Sequence, residues 1–210
     1  MKKILFTALI SSVTLLGCFA PMMLQKGNSY SYTHKLVGEN TDNNSTFNDG
    51  NIKVVFSFPS KEIDFEVENL SANPVKIIWD EASLVQFGEG KKVFHKGVKY
   101  TDRNMSQVPT VIPSKTTYSD LVCPTDNVYW SEGYYSQYYS RPGAWETHDL
   151  WIKQDYNKPE TEDMVMKLKG WKYSLLLPME VNGVKKNYTF NFEIADVVKI
   201  APPTTTTTTN

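Results

Sequence analysis

Three histidines, two cysteines and a few acidic runs are where chemistry would have to begin in this chain. Glu146-x-His148, with Asp149 next to it, could supply two metal ligands from a turn, but a third ligand is not visible, and a zinc site needs at least three from the protein. A solvated polar stretch between Trp145 and Trp151 accounts for the same residues. His34 falls in a polar region near the N-terminus and His95 on the edge of an expected strand, and neither has neighbours at metal-ligand spacing. Cys123 closes the apolar run Leu121-Val122-Cys123 and reads as a small buried hydrophobe rather than a nucleophile. Glu62, Asp64, Glu66 and Glu68 share one face of an expected strand, where a solvated acidic face explains them without Ca2+. Asp80-Glu81 reads as a turn. No Gly-x-Ser-x-Gly and no glycine-rich phosphate loop is present, and Gly88-x-Gly90 lacks the helix pattern that a nucleotide loop needs. With no nucleophile–base or acid–base pair to assemble, the sequence reads as a non-enzyme without cofactor or metal.

A binding surface has more support. Residues 124–151 contain Tyr129, Trp130, Tyr134, Tyr135, Tyr138, Tyr139, Trp145 and Trp151, with Gly133, Ser136, Ser140, Pro142 and Gly143 among them. The stretch lacks period-two alternation and is long for a connection, and such loops are functional or disordered. So many large rings disfavour disorder. Tyr and Trp offer stiff, amphipathic contact area with one polar tip. Three readings stand: the rings fold over one end of the domain as a mini-core, they contact an envelope protein, or they form a platform for sugar rings. Exposure of part of the run Tyr134 to Tyr139 is expected on either binding reading. Tyr129, Trp130, Tyr134, Tyr135, Tyr138, Tyr139 and Trp145 are the candidate contacts.

The N-terminus carries the most specific pattern. Lys2 and Lys3 precede an apolar run from Ile4 to Leu16, shorter than the ~20 residues of a membrane span. A positive start and a short apolar run are the marks of a secretory signal. The run closes on Leu15-Leu16-Gly17-Cys18. These four residues resemble the lipobox of bacterial lipoproteins, with a leucine three residues before the cysteine and a small residue just before it. The resemblance implies that residues 1–17 are removed, that Cys18 is diacylated on sulfur, and that it begins the mature chain. Two or more acyl chains hold stably where one holds marginally. A signal cleaved elsewhere is the alternative, although no better small-x-small site precedes Cys18. The expected location is the cell envelope, with the bilayer as partner through the acyl chains. Phe19 rather than Asp follows the cysteine, which by analogy favours the outer membrane if the source is Gram-negative.

Length and charge bound the rest. The 210 residues carry 23 acidic and 22 basic side chains, a net charge of −1. Losing Lys2 and Lys3 takes this to about −3, and without a basic surplus nucleic acid is not an expected partner. With Cys18 acylated, Cys123 has no intramolecular disulfide partner. Residues 18–50 read as a lipidated N-terminus and polar tether, within which Tyr30 to Val37 could pair as an edge strand. Residues 200–210, with six threonines after Pro202-Pro203, read as a disordered tail.

Between these lies the expected domain, residues 51–199. Alternation at Ile52, Val54, Phe56 and Phe58, and again at Ile63, Phe65 and Val67, gives half-buried strands. Further strands are expected at Val75 to Trp79, Leu84 to Phe87, Val93 to His95, Thr117 to Val122 and Met164 to Leu168, with only a short turn at Pro159 to Asp163. Lys172 to Val181 and Val184 to Ile194 flank Asn182-Gly183, a strong hairpin signal because both turn residues tolerate positive φ. Many short strands with turns between them argue for an all-β antiparallel sandwich. The run Ile63-Asp64-Phe65-Glu66-Val67-Glu68-Asn69-Leu70-Ser71-Ala72-Asn73-Pro74-Val75-Lys76-Ile77 is similar to the strand–turn–strand centre of LEA14-like and related immunoglobulin-like sandwich domains. That resemblance implies a fold and no activity.

Overall fold

Alternating side chains become alternating burial. In the computed structural model, which describes residues 27–42, 44–156 and 158–202, Ile52, Val54 and Phe56 of strand β3 are buried. So are Ile63, Phe65 and Val67 of β4, while Glu66 between them faces outward. The strands in chain order are β1 (Ser29–Val37), β2 (Thr46–Asn48), β3 (Ile52–Ser57), β4 (Ile63–Asn69), β5 (Val75–Ile77), β6 (Ser83–Gln86) and β7 (Glu89–His95). Then follow β8 (Thr110–Ile112), β9 (Thr117–Pro124), β10 (Val128–Ser131), β11 (Tyr134–Tyr135), β12 (Ser140–Arg141) and β13 (Ala144–Thr147). The helix α1 (Pro159–Met166) precedes β14 (Lys172–Val181) and β15 (Val184–Ile200).

Among the described residues all pairing is antiparallel; β10–β13 and β11–β12 pair apart, and the other eleven strands form two layers. In one, β1 pairs with β15 and β15 with β14, whose far edge is shared by β6 and β5, with β8 beyond β5. In the other, β2, β3, β4 and β9 lie in that order. Strand β7 belongs to both: Glu89 to Lys92 pair with β6, and Val93 to His95 pair with β9. Aromatic side chains fill the space between the layers. Phe56 stands 4.9 Å from Phe190 and 5.0 Å from Phe192, edge to face. Each fully buried side chain of this size contributes roughly 1.5–3 kcal/mol through apolar burial. Trp79 is wholly buried and donates its indole N–H to the Thr110 hydroxyl at 2.9 Å, so its polar atom is satisfied.

The β14–β15 hairpin turns at Asn182-Gly183 as expected, with φ of 53° and 76°. Two expectations are corrected. The region read as a tether is in part folded: β1 pairs with β15 over its whole length and β2 caps the opposite layer, so the sandwich begins at Ser29 rather than at residue 51. The edge strand allowed for Tyr30 to Val37 is therefore present. Met164 to Leu168 is not a strand. Pro159 at the first helical position, whose missing N–H costs nothing there, and acidic residues in the first turn start α1 instead. Only Val165 and Leu168 of this stretch are buried, a spacing of three that suits a helix face. Cys18, the signal residues and the threonine run lie outside the described residues.

Candidate functional site

The aromatic segment is a two-storey hairpin arm. Beyond β9, a short 3-10 turn at Thr125–Asn127 leads into β10, which pairs with β13 in the register Val128↔Thr147, Tyr129↔Glu146, Trp130↔Trp145 and Ser131↔Ala144. After Gly133 the same two strands of chain pair again as β11 and β12, Tyr134 opposite Arg141 and Tyr135 opposite Ser140. Ser136 closes the tip, its N–H and hydroxyl both donating to the Tyr139 carbonyl at 2.9 Å.

The lower storey is braced. Val128 is buried with Phe94 and Cys123 in a small cluster apart from the main core. The Tyr129 hydroxyl donates to Glu146 at 3.0 Å, and its ring stacks on His148 with centroids 4.1 Å apart. The bond to Tyr129, together with the Arg141 guanidinium, holds the Glu146 carboxyl below its ordinary range. Arg141 pairs with Glu146 and donates to the Ser131 hydroxyl at 2.8 Å, tying the upper storey to the lower. Trp130 and Trp145 meet edge to face at 5.5 Å, and the Arg103 guanidinium lies 5.2 Å over the Trp145 ring. The two storeys join through glycine: a Cβ on Gly143 would fall 2.5 Å from the Trp130 ring, and one on Gly133 would fall 2.8 Å from the Gly143 backbone nitrogen.

The upper storey is bare. Tyr134, Tyr135, Tyr138 and Tyr139 are 61, 74, 92 and 62% exposed, so the tip is not a mini-core. Tyr129 is half-buried, and Trp130 and Trp145 are partly exposed. Trp151, from the same segment, is core: it packs against Tyr173 and Tyr32. The sequence missed Arg103, Ser131 and Arg141, and named Gly133 and Gly143 without their role at the join. A usable signal existed, since Trp130 and Trp145 stand equally far from the tip, as cross-strand partners must.

The histidines are engaged elsewhere. His34, expected in a tether, sits on β1 inside a ring cage of Tyr32, Phe58, Trp151 and Tyr173, with the Tyr173 hydroxyl 2.8 Å from its Nδ1. Burial lowers its pKa from 6.5 to about 4. His95 has a partner that sequence spacing did not reveal: its Nδ1 is 3.1 Å from Asp120, and its ring stacks on Trp79 at 4.2 Å. Asp120 also accepts from the Lys96 and Leu121 amides and the Tyr118 hydroxyl. The Cys123 thiol is buried, which pushes its pKa up to about 12. Among the described residues no three His, Cys, Asp or Glu side chains converge as a metal site. No protein-family model, curated protein or solved structure matches this chain.

Proposed function

We propose that this chain is a lipid-anchored, non-enzymatic protein of the bacterial cell envelope, held by acyl chains on Cys18, that binds another envelope component through the hairpin arm of residues 128–147. One observation carries the reading: four tyrosines at the arm's tip are exposed while the storey beneath them is braced by paired and stacked side chains. Large exposed rings on a pre-organised support make a recognition surface, because little side-chain entropy is lost on contact. The lipobox resemblance at Leu15-Leu16-Gly17-Cys18 supports the anchor. Among the described residues, the Cys123 thiol is held protonated by burial and His34 and His95 have structural partners, which fits a binding role. An immunoglobulin-like assignment belongs to the same proposal, supported by the unit from β4 to β5, which passes from one layer to the other. The sugar-platform alternative is less favoured: Trp130 and Trp145 stand at 72° to each other and offer no single flat face.

Two measurements test the reading. The mature protein should carry acyl groups at Cys18 by mass spectrometry, and Cys18→Ser should move it from the membrane to the soluble fraction. A photo-crosslinking residue in place of Tyr138 should capture an envelope component in intact cells, and a Trp130→Ala, Tyr134→Ala variant that still folds should lose the adduct. An arm that captures nothing refutes the binding role.

A further inference from the structure

The base of the arm and the start of β1, the strand that follows the spacer, share one end of the sandwich. Strand β1 enters at Ser29, which faces Ile200 at the end of β15 and bridges Gln154. The base of the arm is at Val128 and Thr147, and His148, the next residue, donates its N–H to the Asn127 carbonyl. His148 lines an open cleft of about 670 Å³ together with Ser29, Tyr30 and Ile200. The opposite end of the molecule carries the Asn182-Gly183 turn, reached by Asn51 and Asn73.

Covalent geometry then limits the gap to the bilayer. From Cys18 to Gly27, the first described residue, is nine residues, a reach of at most about 30 Å fully extended. From Val128 to Gln137 at the tip is nine residues, at most about 30 Å at the rise of a strand. The greatest reach of the arm is thus comparable to the longest gap the spacer can hold open. Its tip also has the right chemistry. Residues 133–140 read Gly-Tyr-Tyr-Ser-Gln-Tyr-Tyr-Ser and contain no charged side chain. Exposed Glu132 and Arg141 flank this run in the chain, and Arg141 is paired with Glu146. An uncharged tip avoids the cost of desolvating a charge, and Tyr places an apolar ring inward and a hydroxyl at headgroup level, as in the aromatic belts of membrane proteins.

Resting on the anchored reading above, we infer that the component the arm contacts is the lipid interface itself: the tip tyrosines lie in the headgroup region of the bilayer that holds Cys18, giving the domain a second point of attachment and a fixed orientation. The test uses the acylated mature chain in vesicles of phosphatidylethanolamine and phosphatidylglycerol. Gln137→Cys at the tip and Val184→Cys at the far end each receive a polarity-sensitive fluorophore; Cys123 is buried and protonated, so labelling is selective. Bromine-bearing lipids should quench the label at 137 several-fold more than the label at 184, and Tyr→Ser at 134, 135, 138 and 139 should remove the difference. Equal, weak quenching at both sites in a chain shown by mass to be acylated overturns the inference and leaves the anchor standing. If the unquenched tip crosslinks to a protein, the arm reads a protein instead, which also overturns it. A chain without acyl groups overturns anchor and inference together.

Discussion

His34 shows how one side chain can set a pH limit on this fold. Its imidazole is caged by rings, and burial lowers its pKa from 6.5 to about 4. The unfolded chain therefore binds the proton more tightly than the folded one, and protonation favours unfolding. The contribution of His34 is intact above pH 6.5 and is lost as pH falls from 6.5 toward 4. We expect the wild-type unfolding free energy to decline more steeply over that window than that of a His34→Gln variant, by chemical denaturation at each pH; parallel curves would refute it. Asn69 is the comparable residue at the other end. Its fully buried side chain donates to the carbonyls of Asn73, Ile112 and Pro113 and accepts from the Ser71 amide and hydroxyl. Asn69→Ala strands several of these groups, each costing about 1–3 kcal/mol when buried and unsatisfied. A loss of roughly 3 kcal/mol in urea denaturation is expected. In the sequence Asn69 is only one residue of the strand–turn–strand run Ile63 to Ile77, because its partners at Ile112 and Pro113 lie more than forty residues away.

At the scale of elements, legibility followed the range of the forces involved. The β14–β15 hairpin and the burial alternation of β3 and β4 were readable because period and turn chemistry are local. Strand β1 was readable only as an edge strand that Tyr30 to Val37 could form within a polar tether, since such a strand on a partner of seventeen residues can be specified by that partner. Helix α1 was misread because three adjacent apolar residues fit a strand, while only Val165 among them is buried. The arm was recognised by composition and missed as a hairpin, since its two faces are both rich in rings and show no alternation. Its hinge supplies a prediction. A methyl group at Gly133 would press on the backbone of Gly143 and on the Arg141 carbonyl, which cannot move aside as a side-chain tip can. Gly133→Ala should uncouple the two storeys and weaken whatever the tip binds about tenfold. The thermal midpoint should stay within a few degrees, because the arm's own small cluster is separate from the main core. A large fall in midpoint would show that the arm supports the sandwich.

At the scale of the whole molecule, the decisive element is β7, whose first half belongs to one layer and whose second half belongs to the other. Two sheets packed only face to face could loosen separately. A strand whose pairing passes from one to the other makes that costly, because releasing either layer also frays the ladder that holds its neighbour. The wholly buried Val93 stands at the point of passage, and Trp79 lies against β7, its ring stacked on His95. The sandwich is therefore expected to unfold as one unit, with tryptophan emission and far-ultraviolet circular dichroism sharing a single midpoint in denaturant. Val93→Ala removes two methyl groups from this passage and should cost about 1–3 kcal/mol, in line with other large-to-small core changes. The loss should appear equally in both probes. If the two transitions separate in that variant, β7 is what couples the layers and the variant has cut the coupling. If they are already separate in the wild type, the layers are independent and the shared strand carries no cooperativity.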